Sequence, residues 1–346
     1  MLESRYSSLL QNVSYQSKLP SAALSQQQVF AGSWLLLVVA SALLAAGLPS
    51  VFSIWTVIIF GVPHNYAEFR YFLAKLPSRF GPLKPFFMTS FVGVSLLFCA
   101  EAALAISVDR GWLQPPLSRS LLWCWNEALI LWILALSVLR YRDITRGAIA
   151  LNMILAFVTT ASNCLSPPMF TVVLTYLHPL LGLWILEREL RRSRKSWLPT
   201  YHRCLLAVPV VVLALALCLH GSTSDPAALR LLTLSNLGVS FFPGTSPIMF
   251  VAIYGFLQMV HYGVWVFAIP IAARSWQKWN INHLSVVRNR SRLRNLLWTA
   301  VGVATLAIPA FWLGFKFDYY TTIEIYVIVS LTHVIAEVPF LFWMHE

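Results

Sequence analysis

Ala31–Leu48 reads AGSWLLLVVASALLAAGL, eighteen residues without a charged side chain. A helix needs roughly 20 mostly apolar residues to cross a bilayer, and this run is of that kind. Outward from it the pattern recurs. Further apolar runs cover approximately 51–74, 86–107, 119–139, 147–165, 169–187, 203–220, 248–273, 296–315 and 321–344. The chain has 346 residues, of which 58% are hydrophobic and 11% charged. A soluble domain carries roughly a quarter charged residues, so a water-soluble fold is excluded. An outer-membrane barrel would show short alternating segments, and none occur. The expected fold is an all-α, polytopic integral membrane helical bundle of about ten transmembrane helices.

The formal charge of +12 does not point to nucleic acid, because the basic residues cluster in short loops. The leading tail and the loops after spans 2, 4, 6 and 8 hold 21 of the 25 Lys and Arg. The others are Arg110, Arg119, Arg230 and Lys316, all on the opposite side. This asymmetry predicts that both termini are cytoplasmic. Residues 1–28 are rich in Ser and Gln and read as a flexible cytoplasmic tail without a cleavable signal peptide. Residues 29–346 read as a single transmembrane domain. RELRRSRK (Arg188–Lys195) is the strongest positive-inside anchor. The five cysteines, Cys99, Cys124, Cys164, Cys204 and Cys218, form no CxxC pair and read as small core residues. The stretch from His220 to Pro247 carries turn signals and apolar patches, and is expected to be a re-entrant or interfacial piece. A bacterial inner membrane, or a thylakoid-type membrane, is the expected location. No segment specifies a protein partner.

Four histidines lie at one depth. In this topology spans 2, 6, 8 and 10 run in the same direction. His64 lies 13 residues after Val51, His178 lies 9 after Met169, His261 lies 13 after Ile248, and His333 lies 12 after Thr321. At 1.5 Å per residue these depths are about 14 to 20 Å. One intramembrane histidine can serve as an interhelical hydrogen-bonding group. Four at matched depth point to one shared object, a metal ion or a haem. Neutral imidazole is the metal-binding form, so four can be buried without burying four charges. His202, His220, His283 and His345 fall at interfaces or in loops and stand apart.

Carboxylates accompany the histidines. Glu68 follows His64 by four residues (HNYAE), and Glu337 follows His333 by four (HVIAE). That spacing puts each pair on one helix face. Glu127, beside Asn126, lies in span 4, and Glu101 in span 3. Such groups can orient metal-bound imidazoles, offset the ion's charge or carry protons. Pro63 precedes His64 and Pro179 follows His178, so two helices are expected to bend at that depth. Tyr66, Phe69, Tyr71, Tyr176, Trp184, Tyr262 and Trp265 are nearby aromatics that suit a long apolar ligand as well as ordinary packing.

GVPHNYAEFRYF (Gly61–Phe72) together with Thr332-His333 resembles the Brp/Blh-type bacterial β-carotene dioxygenases. The resemblance covers these two short segments. Asn65-Tyr66 stand where that family tends to have small residues, and no second histidine follows within a few residues. The resemblance implies a multi-spanning protein whose intramembrane histidines hold iron, with Pro63-His64 and His333 at matching places.

The leading expectation is a non-haem iron oxidoreductase, oxygenase-like, acting on a lipid-soluble substrate such as a carotenoid, quinone or acyl lipid. His64, His178, His261 and His333 would be the metal ligands. Glu68, Glu127 and Glu337 would orient them or move protons. A haem protein is the alternative; matched depth permits one haem and disfavours two stacked along the membrane. A non-catalytic transporter or assembly protein with an intramembrane His/Glu path is the third. No GxGxxG, Walker A, GxSxG or HExxH motif occurs, nor the clustered HxxxH and HxxHH motifs of membrane desaturases.

Overall fold

The computed structural model describes residues 19–77, 80–140, 146–222, 241–242, 244–273, 281–284, 287 and 291–343. Every long element among them is a helix, and no strand occurs there. The order is α1 (Leu19–Gly47), α2 (Pro49–Lys75), α3 (Lys84–Asp109), α4 (Pro115–Arg140), α5 (Arg146–Leu165) and α6 (Pro167–Ser193). Then come α7 (Leu198–Leu205), α8 (Ala207–Leu219), α9 (Pro247–Gly263), α10 (Ser291–Phe317) and α11 (Tyr319–Trp343). A π-helical turn, Val264–Ala268, and a short helix, Ile269–Ala272, prolong α9.

Local chemistry sets several boundaries. Proline opens α2, α6 and α9, where its missing N–H removes nothing the first turn needs. The α3 chain reverses at Gly111, whose φ of +67° suits a residue without a Cβ. Asp318 caps α11, its Oδ1 accepting from the Thr321 N–H at 3.2 Å. Pro270 lacks a donor, and its ring would crowd the carbonyl of Val266, so the wider π turn accommodates it.

Eight helical segments among the described residues are long and apolar enough to cross a membrane. All ten expected runs fall on helix, and two of them miss that measure. The apolar part of α5, Ala150–Leu165, is shorter. α2 has the length, but Pro63, His64 and Asn65, followed by Glu68 and Arg70, lower its hydropathy. The physical reason is its position: α2 packs against α1, α9, α10 and α11, so protein rather than lipid meets much of its surface. The tail expectation also shifts, because α1 reaches back to Leu19; residues 1–18 lie outside the described ones. Most of the segment from His220 to Pro247 lies outside them as well.

α9 is the central helix. Within its most apolar window 72% is buried, against 6% for α3 and for α10. The largest core cluster surrounds it, with Trp265, Phe256 and Ile269 packed against Ile185 and Leu186 of α6 and Trp34 of α1. A second cluster joins α3, α4 and α11 around Phe86, Leu136 and Ile335. Outer faces carry exposed Leu36, Leu43, Phe157, Leu217 and Leu306, the inverse of a water-soluble surface. α2 and α6 each touch both α9 and α11, and these four helices bring the four histidines together.

Candidate metal centre

His64 (α2), His178 (α6), His261 (α9) and His333 (α11) form one cluster. The Nε2 atoms of His64 and His333 are 3.4 Å apart, and those of His333 and His178 are 3.2 Å apart. Ring centroids of His178 and His261 lie 4.4 Å apart, and those of His64 and His261 5.4 Å. Imidazole nitrogens bound at roughly 2.1 Å to one tetrahedral ion stand about 3.4 Å apart, so each of these two Nε2 pairs has the spacing of ligands to a common ion, while His64 and His178 fall in different donor groups.

The opposite ring nitrogens are tied back. His64 Nδ1 lies 3.1 Å from the Phe60 carbonyl, one helical turn away. His333 Nδ1 lies 3.3 Å from Ser330 Oγ. An Nδ1–H used in this way leaves Nε2 with its lone pair, which is the metal-binding tautomer. Tyr262 stacks on His64 with centroids 4.0 Å apart, and its hydroxyl is 3.0 Å from that of Tyr326. Both nitrogens of His261 are buried without a hydrogen-bond partner. Its ring fits only because residue 182 is glycine: a Cβ there would sit 2.9 Å from His261 Nδ1.

Glu68 and Glu337 join the cluster. One donor atom from each of His64, Glu68, His261 and His333 lies within 4.8 Å of the others, and the same holds for His178, His261 and Glu337. Both carboxylates are 0% exposed. None of their four oxygens has a hydrogen-bond partner. A buried polar group without a partner costs about 1–3 kcal/mol, and more when charged. Several such atoms at one place are the mark of a site shaped for a ligand. Imidazole and carboxylate together are a donor set that iron, zinc or manganese can take.

Glu127 is placed elsewhere. Its carboxylate accepts from Thr160 Oγ1 at 3.0 Å and Asn163 Nδ2 at 2.8 Å, both on α5. Asn126 donates to Asn163 Oδ1 at 2.7 Å, completing a polar seam between α4 and α5. Glu101 is half-buried on α3, outside the donor groups.

Trp265 and Tyr71, expected among the nearby aromatics, border the cluster, and sequence reasoning missed two further residues, Glu189 and Tyr326. Trp265, on the π turn, is fully buried. Its ring bridges His261, at 6.4 Å, and Tyr71, at 5.6 Å. Glu189 of α6 is 1% exposed and accepts from Lys75 Nζ and from the Tyr71 hydroxyl, each at 2.7 Å. With Tyr71 and Lys75, the α2 face bearing His64 and Glu68 stays polar to the end of the helix, and that periodicity was the available signal. Tyr326 lies seven residues before His333, two turns away on the same face of α11.

Compared with protein-family models, with curated proteins and with solved structures, the chain finds no match. Its chemistry is therefore read from the site's own geometry.

Proposed function

We propose that the chain is an integral membrane non-haem iron oxidoreductase, oxygenase-like, that acts on a lipid-soluble substrate. The observation that carries this reading is the approach of His333 Nε2 to His64 Nε2 at 3.4 Å and to His178 Nε2 at 3.2 Å, with His261 common to both donor groups. So close an approach supports a small ion over a haem, whose ring must fit between its axial nitrogens. The resemblance of Gly61–Phe72 and Thr332-His333 to the Brp/Blh-type dioxygenases supports iron as the ion. Ten spans with cytoplasmic termini remain the topology that best explains the placement of basic residues.

An iron ion at this place supplies the redox chemistry by which dioxygen attacks an organic substrate. The protein's own residues do the rest. The four imidazoles would hold the metal without adding charge, and Glu68 and Glu337 would offset its charge and hold protons. Phe60 and Ser330 fix the rings of His64 and His333. Tyr262 and Trp265 wall the buried side and exclude water. His64 and His261 are 0% and 1% exposed, whereas the His178 side chain retains 14% and His333 is half-buried. The α6–α11 side is thus the more open one, and a carotenoid, quinone or acyl lipid would approach there from the bilayer.

The test is dioxygen consumption by iron-loaded protein in proteoliposomes supplied in turn with a carotenoid, a quinone and an unsaturated acyl lipid. Consumption that one of these elicits and a chelator abolishes supports the proposal. Iron-loaded protein inert toward all three overturns it. A second reading draws on the polar α2 face from Glu68 through Tyr71 to Lys75: a proton-coupled transporter. Metal-independent proton flux in the same vesicles would favour it.

A further inference from the structure

We infer that the histidine–glutamate cluster is built for two metal ions rather than one. This rests on the metal-centre reading above and goes beyond it in number, ligand partition and coordination. The donors form two overlapping groups, His64, Glu68, His261 and His333 in one and His178, His261 and Glu337 in the other, with His261 common to both. Counted once, with His178 and Glu337, His261 leaves His64, Glu68 and His333 as the other set. Each is two histidines and one carboxylate, the set that holds ferrous iron on one face and leaves the opposite positions open.

Three observations favour two ions. First, six protein donors around one ion would close its coordination sphere, leaving no position for a substrate or water. Divided three and three, every donor is used and both ions stay open. Second, His178 Nδ1 and Glu337 Oε2 are 3.1 Å apart, yet neither atom has a partner of hydrogen-bond geometry. Two donors at right angles on one ion, each bonded at roughly 2.1 Å, stand about 3.0 Å apart, which is the observed relationship. Third, the carboxylates are distributed one to each set. Both are wholly buried and none of their oxygens accepts a hydrogen bond of good geometry, so each set carries one carboxylate to set against its own cation. The two sets also adjoin: His333 Nε2 of the first is 3.2 Å from His178 Nε2 of the second.

The experiment uses the full chain purified in detergent. Cobalt(II) is titrated into metal-free protein, with bound metal counted by elemental analysis and the ligand-field absorbance followed. Two equivalents are expected to bind. E68Q and E337Q, each replacing a carboxylate by a near-isosteric amide, should each halve the bound metal. In the iron-loaded wild type, one-electron reduction of the oxidised form should give the resonance of a spin-coupled mixed-valence pair. This readout needs no variant to fold. Saturation at one equivalent, with an isolated-ion resonance, overturns the two-ion inference and leaves the single-ion centre standing. Binding of no metal by folded protein overturns both.

Discussion

His64 and His333 are 269 residues apart in the chain, and their Nε2 atoms meet at 3.4 Å. Each sits one helical turn before a wholly buried glutamate on its own helix, Glu68 and Glu337. The contact therefore joins two His-x-x-x-Glu faces across the α2–α11 interface. His64→Ala and His333→Ala should each remove a ligand without adding strain. Loss of an outer partner of a metal ligand typically weakens binding roughly 10–100-fold, and loss of a ligand should do at least as much. Metal retained through size-exclusion chromatography, measured by elemental analysis on protein eluting like the wild type, checks this.

Gly182 makes room for His261. In Gly182→Ala the new Cβ would approach His261 Nδ1 to 2.9 Å, and the fully buried ring has little freedom to retreat. Overpacking of this kind costs typically about 1–3 kcal/mol. The expected outcome is a lower unfolding temperature together with weaker metal binding, read by thermal denaturation and metal titration. Gly302→Ala is the control, since nothing lies within 4 Å of its added carbon.

Glu127 and the cluster glutamates should separate experimentally. Glu127 is satisfied by Thr160 and Asn163, whereas Glu68 accepts no hydrogen bond and Glu337 faces His178 Nδ1 at 3.1 Å. Glu127→Gln should leave the metal content unchanged and weaken the α4–α5 contact. Interhelical polar contacts in membranes contribute about 0.6 kcal/mol on average, so a shift of that order is expected in a denaturation series.

The Lys75–Glu189 pair closes one end of the polar face of α2. Glu189 is 1% exposed and the Lys75 side chain 21%, so the pair is only partly shielded from solvent. Removing one partner of a fully buried pair costs about 3–5 kcal/mol, and partial exposure lowers that figure here. Lys75→Met alone should destabilise the protein by leaving the Glu189 charge uncompensated. Lys75→Met with Glu189→Leu should recover much of the loss. A double-mutant cycle on unfolding in detergent measures the coupling.

Depth was legible in the sequence because a helix rises by a fixed amount per residue and basic loops set direction. That is why four histidines far apart in the chain were expected at one site, and their meeting in the structure agrees. Facing direction was not legible. Glu127 stands at a comparable depth in a parallel span, yet its azimuth turns it toward α5. Partners across helices were hidden for the same reason: nothing local to Lys75 indicates Glu189, and nothing near Tyr262 indicates Tyr326. α2 misses the length-and-hydropathy measure because it carries the site. Its polar residues are covered by neighbouring helices, an arrangement that averaged hydropathy along one segment does not reveal.

The most direct test is the metal content and visible spectrum of the purified, detergent-solubilised chain, taken with those of the His64→Ala and His333→Ala variants. Bound iron without the intense absorption band of a haem, lost in both variants while each still elutes as a single folded species, is the predicted result. Folded wild-type protein that binds neither metal nor haem would contradict the account.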